Sequence, residues 1–306
     1  MRIHLRTAGL LTTVQDLGRF GYAHVGMSPA GAADARSFRL ANLLVGNDEN
    51  APALEMTLLG ATLEFESSAW ISVTGAKVSG EPGIPMWQAV QVPAGSVLNC
   101  GTLSDGARAY LAVQGGFKVE KEIHSASTDL GAGIGGLGGR ALRNGDALET
   151  EDVKRGSTRT LRPGFRGLGH GNDPVRVTAG VQWEWFAEEM QKSFLSATYM
   201  VSQQSNRAGL RLSGKEIFPR NHSQLLTEGV PLGAIQIPPN GHPIILFVDQ
   251  QTTGGYPKIA NVIAADLHRI GQLRPDDPVH FELVGIEQAV TLLRAQEKML
   301  REAFLP

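Results

Sequence analysis

The stretch that decides the fold is PIILFVDQQTTGGYPKIA, residues 243–260. Its opening PIILFV is continuously apolar and branched, which is typical of a buried strand. The strand ends abruptly at Asp249, and a run of amides, hydroxyls and glycines follows as far as Tyr256. Gly254 and Gly255 leave the backbone bare enough for close approach by a ligand. The segment predicts either a binding or catalytic loop presented by a rigid strand, or a polar surface loop with a tight turn.

Composition narrows the classes of protein. The 306 residues are 42% hydrophobic, and the length exceeds that at which a single core stops growing, so we expect two domains. The 28 basic and 30 acidic residues nearly balance, which favours neither nucleic acid nor an anionic membrane as a partner. Cys100 is the single cysteine, and the N-terminus lacks a long apolar run, so we expect a cytoplasmic protein.

Short apolar or alternating runs outnumber helical patterns. Strands are predicted at 69–73, 89–92, 108–113, 175–178, 234–237, 244–248 and 279–283. Helices are predicted at 34–45, 182–194, 261–270 and 286–304. The fold class predicted is mainly β with a few helices.

Two faint repeats favour an internal duplication. Residues 85–95 and 231–241 each predict a strand that ends in proline and a glycine turn, and Thr-Ala-Gly recurs at 7–9 and 178–180. Short matches of this kind also arise by chance. We interpret the chain as two similar lobes, 1–165 and 166–306, joined within 151–171, the second carrying the QTTGGYP loop.

The familiar catalytic motifs are incomplete in this sequence. The run Gly209–Lys215 resembles a phosphate-binding loop, but Glu216 stands where a hydroxyl must hold magnesium, and the alternation favours a strand. Gly131–Gly136 has dinucleotide-loop spacing without a preceding strand or a following helix, which favours a glycine-rich hairpin. No histidine pair has helical metal-site spacing, so no protein-bound metal is expected. Cys100 is expected to be a buried structural thiol.

Polar residues elsewhere remain open to two interpretations. Gln15, Asp16 and Arg19 mix an amide, an acceptor and a fixed cation, and they either bind a ligand or form a local Asp16–Arg19 pair. Asp34 is a helix N-cap candidate. Arg207 can grip an anion, and Glu228 can act as a base or as a salt-bridge partner of an arginine.

Six segments in order carry a family resemblance: TVQDLGRFGY (13–22), SPAGAADARSFRLANLLVGN (28–47), STDLGAGIGGLGGRALRNGD (127–146), QSNRAGLRLSG (204–214), TEGVPLGAIQIPPNG (227–241) and DQQTTGGYPKIA (249–260). Together they resemble the biotin-dependent carboxyltransferase family, which includes Kip antagonists, the carboxyltransferase part of urea carboxylase, and the C component of bacterial 5-oxoprolinase. The resemblance implies two cyclophilin-like β-barrel lobes related by duplication.

The 5-oxoprolinase branch is the one that a free-standing chain of this length resembles. That branch implies an ATP-dependent complex that opens 5-oxoproline to glutamate, with a Kip inhibitor-like partner and a LamB/YcsF-type partner, and with a chain that is inactive alone. Two alternatives stay open: a carboxyltransferase acting on biotin presented by another protein, and a regulatory Kip antagonist that binds a kinase inhibitor. No Met-Lys-Met segment is present to accept biotin.

Opening a lactam builds charge on its oxygen, so preorganised donors and a proton carrier are required. Residue type and loop position make Glu228, Asp249 and Gln251 the catalytic candidates. Lys258, at a predicted strand start, is expected to face solvent and is retained as a candidate anion contact. The full set of binding candidates is Arg207, Asn206, Gln236, Gln250, Thr252, Thr253, Gly254, Gly255, Tyr256, Lys258, Gln15, Arg19 and Ser28.

Overall fold

The computed structural model describes residues 1–81, 83–151, 158–162, 165, 173–220 and 225–305. Two compact units are present: unit 1 comprises Met1–Arg19, Ala30–Gly169 and Met299–Pro306, and unit 2 comprises Phe20–Pro29 and His170–Lys298. The predicted division at 165/166 and most of the predicted junction fall outside the described residues. Strands dominate both units, so the prediction of a mainly β fold is confirmed, with one sheet forming a nearly closed barrel.

Unit 1 contains two antiparallel sheets. The order of strands is β7-β4-β1-β9 in one sheet and β2-β3-β8-β5-β6 in the other. Alternation along β1 buries Ile3 and Leu5, which pack with Phe65, Leu111 and Val113 in the largest core of the unit. The elements are β1 (Arg2–Thr7), β2 (Leu11–Gln15), α1 (Ala35–Leu44), β3 (Ala53–Thr57), β4 (Thr62–Phe65), β5 (Ala69–Val78), β6 (Ala89–Val92), β7 (Val97–Asn99), β8 (Leu103–Val113) and β9 (Ala147–Glu149).

Helix α1 begins and ends where local signals place it. The Asp34 side chain accepts a hydrogen bond from the Ser37 N–H at 2.9 Å, which confirms the predicted N-cap. Gly46, just beyond the end, has φ 76°, which a side chain would disfavour. Phe38 packs edge-on against Tyr110 of β8, with ring centroids 6.0 Å apart, so the apolar face of α1 is anchored on the sheet.

Unit 2 is built on an eight-stranded sheet, in the order β18-β11-β12-β15-β14-β17-β10-β19, and a two-stranded ribbon, β13-β16. At one end of the large sheet Phe194 stacks on Phe281, with centroids 4.7 Å apart. The elements are β10 (Val175–Ala179), α2 (Glu188–Ser196), β11 (Tyr199–Val201), β12 (Gly209–Ser213), β13 (Glu228–Gly229), β14 (Ala234–Gln236), β15 (Ile244–Leu246), β16 (Thr253–Gly254), β17 (Lys258–Val262), α3 (Leu267–Ile270), β18 (Pro278–Val279), β19 (Phe281–Leu283) and α4 (Ile286–Arg301).

Two predicted helices start too early. The helix predicted at 182–194 begins at Glu188, because Phe186 is extended (φ −94°, ψ 136°) after a single 3-10 turn, Trp183–Trp185. The helix predicted at 261–270 keeps only its last turn, since Asn261 pairs in the sheet with both Thr178 and Ala234. At Asn261, backbone pairing with strands distant in sequence overrides helical periodicity.

The two repeated segments have similar local structures. β6 is followed by a turn at Pro93 with Gly95 at φ 75°, and β14 is followed by a turn at Pro238 with Gly241 also at φ 75°. In the Thr-Ala-Gly repeat, a Cβ at Gly9 would overlap the Leu59 carbonyl, and a Cβ at Gly180 would overlap the Lys258 carbonyl. Each repeat therefore places a glycine where the backbone of a distant segment passes closely. Among the described residues, no helix combines the length and apolarity required to cross a bilayer.

Candidate functional site

The loop that follows β15 lies against a short ribbon. The Gln250 N–H donates to the Phe247 carbonyl at 2.9 Å, which turns the chain immediately after the strand. Thr253 and Gly254 then form β16 and pair with Gly229 and Glu228 of β13. The predicted polar loop therefore contains a two-residue strand, and this strand sets Glu228 opposite Gly254.

Gly254 lies close to a buried amide. A Cβ at this position would lie 2.5 Å from the Gln236 side-chain nitrogen, so the amide of Gln236 lies directly on the Gly254 backbone. Gln236 is 1% exposed, and its Nε2 has no hydrogen-bond acceptor within the described part of the chain. A buried amide nitrogen without a partner is costly, and it is a common feature of sites that bind a ligand.

Lys258 is the buried cation of this site. Gln236 of β14 is paired in register with Lys258 of β17, so the two side chains leave neighbouring positions on adjacent strands. The Lys258 side chain is 2% exposed, and its ammonium contacts the Glu228 carboxylate. The expectation that Lys258 faces solvent is wrong, because β17 lies between β14 and β10 in the sheet and its first residue is already covered.

Glu228 is ionised and held in place. The hydrogen bond from Lys258, and next that from Gln182, lower the pKa of the Glu228 carboxyl below its ordinary value. The Glu228 side chain is 38% exposed, so it remains reachable from solvent while its partner Lys258 does not. The predicted salt bridge between Glu228 and an arginine is wrong, since its cation is Lys258.

Gln182 is a site residue that sequence reasoning missed. Its Nε2 donates to Glu228 Oε1 at 2.8 Å, and its Oε1 accepts a hydrogen bond from the backbone N–H of Lys258 at 3.0 Å. The Gln182 N–H in turn donates to the Lys258 carbonyl at 3.2 Å. The nearest sequence signal was the repeated Thr-Ala-Gly, because Gly180 is the position where this backbone meets β17. We refer to Gln182, Glu228, Gln236, Gly254 and Lys258 as the Lys258 cluster.

Arg207 and Asp249 form a buried bidentate ion pair. Arg207 Nε and Nη2 donate to the two Asp249 carboxylate oxygens at 2.8 and 2.9 Å, and the side chains are 5% and 9% exposed. The Asp249 N–H also donates to the Arg207 carbonyl at 3.0 Å. Because both carboxylate oxygens accept from Arg207, the pair fixes the chain where β15 gives way to the loop.

The other loop candidates differ in accessibility. Gln251, Thr253 and Tyr256 are exposed. Gln250 is 5% exposed, its Nε2 donates to the Val230 carbonyl at 3.2 Å, and its Oε1 lacks a donor within the described residues. Thr252 is half-buried, and its carbonyl accepts the Val230 N–H at 3.0 Å.

Asn206 and Gly255 are the remaining candidate residues of unit 2, besides Ser28. Asn206 Oδ1 caps the next turn by accepting the Ala208 N–H at 2.9 Å and the Gly209 N–H at 3.2 Å. Gly255 is half-buried, and a Cβ there would lie 3.4 Å from the Leu225 carbonyl, an ordinary contact. Asn206 therefore has a local structural role, whereas Gly255 tolerates a side chain better than Gly254.

The N-terminal candidates divide between the units. Gln15 and Arg19 belong to unit 1 and are 0% and 2% exposed, and Ser28 belongs to unit 2 and is buried. The local pair of Asp16 with Arg19 is not formed: Asp16 Oδ1 accepts from the Ser125 and Ser127 hydroxyls, each at 2.6 Å. The ligand-binding roles of these residues stay predictions.

The motifs rejected on sequence have structural roles. Gly209–Ser213 is strand β12, as expected. The segment 131–136 is a series of turns closed by an Asp129–Ile134 bridge, with glycines at positive φ. Burial raises the pKa of the Cys100 thiol to about 12, which suits a structural residue. The described residues contain no group of three or more side chains arranged to hold a metal ion.

Similar proteins identify the family. The family model for the carboxyltransferase domain, subdomain A and B, matches residues 25–283. The chain is 41% identical to the C component of 5-oxoprolinase from Escherichia coli (strain K12) over 298 residues, covering 96% of this chain and 95% of that protein. It is 32% identical to urea amidolyase of Saccharomyces cerevisiae, covering 98% of this chain but 17% of that protein.

A solved structure agrees with this relationship. The crystal structure of Kluyveromyces lactis urea carboxylase matches with a TM-score of 0.92 at 30% identity, over 100% of this chain and 30% of that one. The family resemblance carried by the six ordered segments is confirmed. The chain belongs to the family of the carboxyltransferase domain, subdomains A and B.

Proposed function

We propose that this protein is the C component of an ATP-dependent 5-oxoprolinase, a complex that opens the lactam of 5-oxoproline to glutamate. Support comes from relatives that carry this component's name and align over nearly their whole length. A Kip inhibitor-like protein and a LamB/YcsF-type protein are the proposed partners. The observation that carries the proposal is the Lys258 cluster, in which buried donors lie beside an ionised, partly open carboxylate.

The reaction requires charge stabilisation at the lactam oxygen. A lactam is a poor electrophile, and phosphorylation of its oxygen by ATP makes the carbon susceptible to water. Water adds to that carbon, the carbon–nitrogen bond breaks as a proton passes to the nitrogen, and a second water then releases phosphate from the resulting acyl phosphate to leave the carboxylate. Lys258 Nζ and Gln236 Nε2 are donors already fixed in a buried setting, where they stabilise developing negative charge without reorganising.

Glu228 suits the proton transfer. Its lowered pKa keeps it ionised at neutral pH, so it accepts a proton instead of supplying one. Gln182 and Lys258 fix the carboxylate direction from two sides. The predicted roles of Asp249 and Gln251 remain part of the proposal: Asp249 positions the loop through Arg207, and Gln251 offers an exposed amide.

The test is ATP-dependent glutamate release from 5-oxoproline. The chain is assayed alone, with the Kip inhibitor-like partner, and with both partners, and turnover is expected only in the complete mixture. Glu228→Gln is expected to lower turnover about 10²- to 10⁴-fold, the range of general base catalysis. Glu188→Gln is the matched control, because Glu188 is 70% exposed and pairs with its helical neighbour Lys192. Full activity of the Glu228→Gln complex contradicts the assigned role.

A second candidate function is carboxyl transfer with biotin presented by another protein. The similarity to urea amidolyase over 98% of the chain favours it. The same buried donors would stabilise the anion of the biotin ureido group. Carboxylation of urea by the chain, mixed with a carboxybiotinylated protein and without the LamB/YcsF-type partner, would support this function over ring opening.

A further inference from the structure

Arg19 is a buried cation that forms no ion pair with the described residues. It follows β2 in unit 1, is 2% exposed, and donates from Nη2 to the Ser127 carbonyl. Its Nε and Nη1, which carry three N–H groups between them, have no acceptor within the described residues. Burying a cation without an acceptor for its N–H groups is costly, which favours a role in binding an anion over a packing role.

The adjacent carboxylate is committed elsewhere. Asp16 Oδ1 accepts the Gly18 N–H at 2.8 Å in addition to the two serine hydroxyls, and Oδ2 accepts the Ala126 N–H at 2.7 Å. Asp16 therefore organises the 125–127 backbone beside Arg19 and forms no ion pair with its guanidinium.

A glycine-rich segment lets the guanidinium lie close to the backbone. A Cβ at Gly135 would lie 2.9 Å from Arg19 Nη2 and would overlap the Ser127 carbonyl, and Gly135 has φ 74°. A Cβ at Gly136 would overlap the Thr128 hydroxyl, at φ 53°. At both glycines a side chain would overlap neighbouring atoms and would be strained by the positive φ. The segment with dinucleotide-like spacing thus shapes the surroundings of Arg19.

Gln15 supplies an unpaired acceptor on the same segment. It is 0% exposed, and its Nε2 donates to the Thr128 carbonyl at 3.1 Å and to the Thr13 hydroxyl at 3.0 Å. Its Oε1 has no donor within the described residues. Arg19 binds the carbonyl of residue 127, and Gln15 binds the carbonyl of residue 128. The Cα atoms of two consecutive residues are about 3.8 Å apart, so both side chains reach the same short stretch of chain.

We propose that unit 1 holds a carboxylate-binding site in which Arg19 grips the carboxylate and Gln15 Oε1 accepts an N–H next to it. A cyclic amide amino acid such as 5-oxoproline presents these two groups on one carbon. The choice of this ligand rests on the proposed function. Inorganic phosphate also presents acceptor oxygens to Arg19 and, as hydrogen phosphate, an O–H to Gln15, so it serves as the competing ligand in the test.

The test measures binding to the full chain, alone and in the complete complex, by calorimetry and thermal shift. The probes are 5-oxoproline, 2-pyrrolidinone, which is the same lactam without the carboxylate, and inorganic phosphate. We expect wild type to bind 5-oxoproline, with a Kd at least about tenfold weaker in Arg19→Gln and partly restored in Arg19→Lys. Arg6→Gln, which alters an exposed pair with Glu64, is the matched control.

Four outcomes overturn the site: no binding of 5-oxoproline to wild type in either form, equal binding to Arg19→Gln, equal binding of 2-pyrrolidinone, or tighter Arg19-dependent binding of phosphate. Cooperative unfolding of Arg19→Gln checks that it folds, and Gln15→Met provides a second variant with a weakened lactam contact. Turnover separates this site from the proposed function. Unchanged binding of 5-oxoproline by Arg19→Gln rejects the site only, whereas no glutamate release by the wild-type complex rejects the function only.

Discussion

Replacing Lys258 by methionine separates the chemical role of the Lys258 cluster from its contribution to stability. Methionine is unbranched like lysine and fills similar space, so the variant removes the ammonium with little repacking. The Lys258 side chain is 2% exposed and the Glu228 carboxylate 38% exposed, which makes the two partners unequal. The buried lysine bears a desolvation cost of several kcal/mol, while the carboxylate left behind can be solvated.

The stability terms nearly cancel. Two unit charges 4 Å apart attract by about 4 kcal/mol at an effective dielectric of about 20, and the exposure of Glu228 reduces that gain. Relief of the lysine desolvation offsets the loss. We expect the free energy of unfolding at pH 7 to change by less than about 1 kcal/mol, measured by urea denaturation. Removing one fixed donor to a developing oxyanion is expected to lower kcat by about 10²- to 10³-fold.

The pH dependence follows from Glu228. Because its pKa is below the ordinary 4.5, its ionised form contributes stability that is present above pH 4.5 and is lost as pH falls through the lowered pKa. Lys258→Met loses the largest cause of the lowered pKa and keeps the hydrogen bond from Gln182, so acidification below pH 4.5 should destabilise the variant less than wild type. Lys192→Met, at a 73% exposed lysine, is the control. Retained turnover, or a stability loss above about 3 kcal/mol at pH 7, would refute this account.

Three further substitutions or treatments probe other parts of the structure. Gly254→Ala puts a methyl 2.5 Å from Gln236 Nε2, so the amide must move by about 1 Å, and turnover in the complex should fall about 10²-fold. Gly229→Ala is the control, because a Cβ there has nothing within 4 Å, and it should leave turnover unchanged. Equal rates for the two variants would count against the contact. Arg207→Met leaves Asp249 buried and unpaired, so the free energy of unfolding should fall by about 3–5 kcal/mol. Adding Asp249→Leu to this variant should restore part of the loss. A loss below about 1 kcal/mol in urea denaturation would contradict the buried pair. Native Cys100 should resist iodoacetamide at pH 8 and react fully in urea, as followed by mass spectrometry, because its pKa is about 12; rapid native labelling would disprove its burial.

The sequence by itself determined the elements whose signals are local. Asp34 and Gly46 delimit α1 through a side-chain cap and a left-handed residue, both of which act within one turn. β6 has the predicted bounds because alternation within four residues suffices to define it. The order of six motifs also established the family, since order along a chain is a property of sequence alone.

Only the tertiary structure decided how the site is assembled. Gln182 lies 46 residues from Glu228 and 76 residues from Lys258 along the chain, and only the folded structure brings the three together. Lys258 looked solvent-facing, yet its strand lies between two others. Local periodicity reports which face of an element is apolar, but burial and pairing depend on which distant strand lies alongside, and that is fixed by the packing of the whole unit.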